Sequence, residues 1–173
     1  VCVIPTLTRE VSTYIYESKP AFFDDAFFTK SADATVLAAL QTPERQTASQ
    51  GKGPQTYKKQ LAVASSNLKK LFDAGVKIAM GTDAGPPARF LGYFEHMEMQ
   101  MEVDAGLTPT EALRTATSDA AACLGLTDVG TLKVGKWADF AVFDQDPQAN
   151  MANSKTLSSV YVAGNLVPKA SPM

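Results

Sequence analysis

The chain has 173 residues, 45% of them hydrophobic, with 16 basic and 18 acidic side chains and a formal charge of −2. That length buries one substantial core, a domain or a domain and a half. The near-neutral balance, with no basic stripe, speaks against nucleic acid and anionic membrane surfaces as partners. No stretch approaches the roughly 18 apolar residues of a membrane span.

Val1 to Leu7 (VCVIPTL) reads as a buried strand that Pro5 and Thr6 close. Two short helices are expected next: AFFDDAFF, with Pro20 at its opening, and ADATVLAAL, capped by Ser31 and ended at Thr42 and Pro43. The run TASQGKGPQ, 47 to 55, is polar and glycine-rich, which predicts a surface loop. Tyr57 to Ala74 carries Leu61, Ala64, Leu68, Leu71 and Phe72 at helical spacing and stops at Gly75. A strand from Val76 to Thr82 follows, so that the opening strand, this helix and the second strand form a parallel crossover unit.

The second strand ends in Asp83, and Gly85, Pro86 and Pro87 then forbid further ladder pairing. Leu91 to Asp104 reads as a helix, with Met97 and Met101 on one packed face and Glu95, Glu98 and Glu102 as surface charges. In TPTEALRTAT, Thr108, Pro109 and Glu111 make a capping box, and Ser118 to Gly125 is a short helix. Beyond about residue 128 the period changes to that of strands, with GTLKVGKWADFAVFD as strand, turn and strand and a hairpin at Gly164 and Asn165. A domain boundary is expected there, dividing 1–128 from 129–173, with Trp137 and Tyr161 in packing roles.

Asp83 ends a parallel strand, where ligands of open sheets and barrels sit. A carboxylate there binds a divalent cation or carries a proton; the alternative is an Asx turn. Arg89 is a candidate clamp for a substrate carboxylate, or a solvated loop arginine. His96 is the only histidine, so the imidazole set of a hydrolytic zinc site cannot be assembled from these residues alone. Cys2 and Cys123 are too few and too distant in sequence for a metal or redox motif, and both read as ordinary buried thiols.

Taken together and in order, GVKIAMGTDAG, the His-x-Glu helix, AGLTPTEALRTATSDAAACLGL, GTLKVGKWADFAVFD and VYVAGNLV resemble the C-terminal half of a metal-dependent amidohydrolase of the imidazolonepropionase-like and Xaa-Pro dipeptidase-like branch. The resemblance implies an α/β fold: the end of a (β/α)8 TIM barrel, with Val1–Leu7 and Lys77–Asp83 as its seventh and eighth strands, followed by part of a small β-sandwich. It implies that Asp83 is a metal ligand and proton shuttle, that His96 touches substrate, and that a divalent metal, zinc, serves the complete enzyme. The His-x-His pair, the lysine or glutamate and the two further histidines of such an enzyme are missing from these residues. The expectation is therefore an inactive C-terminal portion of a larger enzyme that hydrolyses C–N bonds of a small molecule and is a homo-oligomer at full length. Two alternatives stand beside it: a non-catalytic α/β interaction module, and a deaminase or dehalogenating hydrolase on the same scaffold.

Overall fold

The computed structural model describes residues 1–86 and 88–168; Pro87, expected in the turn after Asp83, lies outside them. β1 (Cys2–Val3) leads into α1 (Leu7–Val11), and after two single-turn helices come α2 (Ala26–Thr29), α3 (Ala34–Leu40), α4 (Pro43–Ser49) and α5 (Lys52–Asp73). β2 (Lys77–Ile78) follows, then α6 (Phe94–Asp104), α7 (Pro109–Thr115) and α8 (Ser118–Leu124). The chain closes with β3 (Phe140–Phe143), β4 (Leu157–Val162) and β5 (Asn165–Leu166).

β1 and β2 pair in parallel, Cys2 opposite Lys77 and Val3 opposite Ile78, with α5 in the crossover. The ladder is far shorter than the sequence suggests, because the backbone on both sides finds other partners. Thr6 turns into the left-handed region at φ 46°, and the amides of Leu7 and Thr8 donate to the Glu98 carboxylate instead of to a strand. The Met80 amide likewise donates to the Thr115 carbonyl. β3, β4 and β5 form a separate antiparallel sheet in chain order. Its last hairpin closes on Val162 and Asn165, with Ala163 and Gly164 both at positive φ, as a two-residue turn of twisted strands requires.

Helix starts follow the side chains able to accept from the first free amides. Asp25 accepts from Phe27, so AFFDDAFF divides into two turns where one helix is expected. Asp33, not Ser31, caps α3, accepting from Thr35 and Val36. Thr42 caps α4 with Pro43 in its first turn, so these residues begin a helix where an ending is expected. The loop expected at 47–55 is the end of α4, a break at Gln50 and Gly51, and the first turn of α5, which tolerates Pro54 because amides there have no helical partner. The capping box of Thr108 and Glu111 is present as read.

Three apolar clusters fill the interior. Tyr16, Phe22, Phe23, Phe28 and Phe94 gather one; Leu7, Leu68, Ile78 and Leu107 a second beneath the parallel pair; Met99, Ala112 and Met151 a third. Met97 packs on the first and Met101 on the second. Tyr161 stacks on Phe140 at 4.5 Å, but Trp137 is 54% exposed, its indole N–H donating to Asp128, so the packing role expected of it is absent. Cys2 and Cys123 are not free thiols: they form a disulfide, with Cα atoms 5.8 Å apart and 121 residues between them in sequence. α8 packs back beside β2, the partner of β1, a proximity that spacing along the chain does not reveal.

Candidate active site at the end of β2

The segment after β2 is built in layers of polar contacts. Thr82 is buried, and its hydroxyl donates to Glu95 Oε1 at 3.2 Å and accepts from the Ala84 amide at 3.1 Å. The other Glu95 oxygen accepts from the Gly92 amide at 2.7 Å, closing the loop that leads into α6. Between these anchors Asp83 takes a left-handed backbone conformation, φ 52°, uncommon for a residue with a Cβ and at home at asparagine or aspartate. Its side chain is 58% exposed and pairs with Arg89, which also donates to the Asp83 carbonyl at 2.9 Å. Asp83 and Arg89 are therefore brought together, with the aspartate carboxylate at the surface above a buried threonine.

His96 is placed elsewhere. Its Nδ1 lies 2.9 Å from Ser154 Oγ, and its ring meets Phe27 edge to face at 4.9 Å. It lines a cavity of about 250 Å³ with Tyr93, Gln100, Met151, Ser154 and Lys155, between α6 and the turn before β4. Burial pushes its pKa below the ordinary imidazole value, with Lys155 adding to the effect and Glu95 opposing it, so the ring is neutral at neutral pH.

Beneath the site, α6 carries two carboxylates that the sequence reading placed on the surface. Glu98 and Glu102 are both fully buried. Glu98 accepts from the amides of Leu7 and Thr8 at 2.8 and 2.7 Å and from the Thr8 hydroxyl at 2.7 Å, fastening the end of the first strand segment to α6. Burial raises its pKa, against those three donors. Glu102 Oε2 lies 2.5 Å from Thr115 Oγ1, while its Oε1 has no hydrogen-bond partner among the described residues. Burial pushes Glu102 up to about 7, with the Glu98 charge adding to the shift and Thr115 opposing it. One signal for this was in the sequence. Positions 95, 98 and 102 are three and four apart, so the three carboxylates share one face of α6.

A metal site needs several such donors converging on one point. Among the described residues no group of three or more His, Cys, Asp and Glu side chains does so. Asp83 is one carboxylate, the only imidazole is engaged at Ser154, and Glu98 is occupied by backbone amides. The residues present do not make a complete metal centre.

Comparison with known proteins places this arrangement in a class. Residues 25–167 match the Amidohydrolase family, and the chain belongs to that family, whose members are generally metal-dependent. Among its relatives, an imidazolonepropionase of Streptomyces avermitilis is 36% identical over 86 residues, half of this chain and 21% of the relative. A 5-methylthioadenosine/S-adenosylhomocysteine deaminase of Bacillus thuringiensis is 30% identical over 122 residues, 59% of this chain and 28% of the relative. A solved Xaa-Pro dipeptidase with bound methionine superposes on 98% of this chain with a TM-score of 0.65 at 20% identity, which uses 35% of that structure. The likeness to this last protein is one of fold. The chain thus spans about a fifth to a third of the length of the proteins it resembles.

Proposed function

We propose that this chain is the C-terminal portion of a metal-dependent amidohydrolase that hydrolyses C–N bonds of amides or cyclic amides. Residues 1–128 are its last two barrel strands with their helices, and 129–173 belong to a small β-sandwich. Asp83 is its catalytic residue, a carboxylate on the segment after β2 that carries a proton between water and leaving group and would contribute one ligand to a divalent metal, zinc, whose other ligands would come from outside these residues. Arg89, beside it, orients a substrate carboxylate with its remaining guanidinium N–H groups, and His96 contributes to substrate binding from the separate cavity that it lines. The observation that carries this reading is the Asp83 carboxylate itself, exposed on the segment that follows β2, with its backbone in the left-handed region and its side chain paired to Arg89.

In the complete enzyme Asp83→Asn is expected to lower kcat by at least about 100-fold, while the melting temperature stays close to wild type. Turnover within about threefold of wild type would sink the assignment. The isolated chain is expected to bind no stoichiometric metal and to hydrolyse nothing. The deaminase among its relatives favours a second reading, in which the same carboxylate serves the release of ammonia from an amino-substituted ring. Measuring ammonia against amine or amino acid as product separates the two.

A further inference from the structure

The disulfide joins two short elements of the fold, β1 and α8. β1 is a two-residue strand paired in parallel with β2. α8 has seven residues and buries only Ala121, while Leu124, its last residue, and Leu126, just beyond its cap, are 72% and 48% exposed. A two-residue ladder and one buried methyl group supply little stabilisation of their own. Yet these elements frame β2, the strand that leads to Asp83. A covalent link restricts the unfolded chain more the longer the loop that it closes, and this one spans 121 residues.

We propose that the Cys2–Cys123 bridge is a structural disulfide, formed by thiol–disulfide exchange, that fastens α8 to β1, and that the protein carrying this chain folds in an oxidising compartment. The two thiols give up two protons and two electrons as the S–S bond forms. The disulfide of a dithiol oxidoreductase accepts both and is reduced to two thiols. Bridges of this kind persist in secreted and periplasmic proteins and are reduced in most cytosols. The proposal does not depend on the catalytic role given to Asp83.

The test is peptide mapping of the protein isolated from its own cells, denatured in the presence of an alkylating agent before any reductant. The expected result is a disulfide-linked pair of peptides holding Cys2 and Cys123, with alkylation of both only after reduction. Both cysteines alkylated without reduction would overturn the proposal. A thermal melt supplies the second arm. Reductant should lower the midpoint by roughly 5–15 °C and have no effect on Cys123→Ser, whose midpoint already lies at the lower value. A wild-type midpoint that reductant leaves unchanged would mean that the bridge fastens nothing.

Discussion

Replacing Glu102 by glutamine should remove the loss of stability that this group causes between mildly acidic and neutral pH. Thr115 Oγ1 lies 2.5 Å from Glu102 Oε2 and 2.7 Å from the Ala112 carbonyl oxygen. The hydroxyl has a single proton. Donated to the carbonyl, it leaves the shorter contact to be filled by a proton on Glu102, as expected of an acid whose pKa burial pushes up to about 7. The sign follows from that direction. Between the ordinary value of 4.5 and about 7 the folded protein keeps a proton that the unfolded chain has released, so stability is greatest below 4.5 and falls as pH rises to about 7. The loss is on the order of 3 kcal/mol. Glutamine, neutral throughout, can donate its amide N–H to Thr115 in place of the acid proton. At about pH 5 the variant should lie within about 1 kcal/mol of wild type, and by about pH 8 it should be more stable by on the order of 2–3 kcal/mol. Urea denaturation of both proteins across that range, followed by circular dichroism, reads the difference directly. Stability curves that run parallel to within about 0.5 kcal/mol would refute a neutral Glu102.

Two further substitutions test the network around it. Glu98→Ala leaves two buried backbone amides and one hydroxyl without their acceptor and should cost about 3–5 kcal/mol; a loss under about 1 kcal/mol in the same denaturation assay would mean that water replaces the carboxylate without penalty. Asp25→Asn keeps the cap on Phe27 but loses the ion pair with Lys155 at 2.6 Å, the link from α2 to the turn before β4. Because both side chains are partly exposed, the expected cost is about 1 kcal/mol. Its pH dependence runs opposite to that of Glu102. The hydrogen bond from Lys155, with the amide of Phe27 and the lysine charge assisting, holds the Asp25 carboxyl below its ordinary 3.8, so the stabilisation is present above that value and is lost as pH falls through the lower, folded value. A cost that persists unchanged in strong acid would show that the charge is not its source.

Much of this architecture is legible in the chain, and the parts that are not have definite causes. The parallel crossover, the capping box at Thr108 and the closing hairpin are written in local pattern, because caps and two-residue turns are satisfied by residues three or four positions away. The strands around β1 and β2 were read too long because their amides are claimed by Glu98 and by Thr115, partners 91 and 35 residues distant. The same blindness to long-range partners made Glu98 and Glu102 into surface charges and Cys2 and Cys123 into separate thiols. An acidic residue amid methionines on a helix is expected outside unless something waits for it inside. Here the acceptors that the first strand segment lacks are supplied from α6. The position of Asp83 could be read from its neighbours, a short apolar run followed at once by residues unable to extend it. The pairing of His96 with Ser154 could not, since Ser154 lies in a segment that only the fold brings near.

The carboxylates around β2 also differ in what remains of their capacity to bind. Glu95 is held by Thr82 and Gly92, Glu98 by three donors, and Glu102 is buried against Thr115 in a place no solute reaches. Glu98 fixes the backbone of Leu7 and Thr8, and Glu95 fixes that of Gly92 while it holds the Thr82 hydroxyl, which in turn accepts from the Ala84 amide. Asp83 is the most exposed of the four, and its partner among the described residues is Arg89, itself 21% exposed. An exposed ion pair of this kind contributes about 1 kcal/mol or less, so a ligand that engages either member has little to displace. Rigid support beneath and a weakly committed carboxylate above are what preorganised catalysis demands of a residue that must exchange protons repeatedly without losing its place. That division of labour between α6 and the segment after β2 is why the catalytic proposal rests on Asp83 and not on the buried acids behind it.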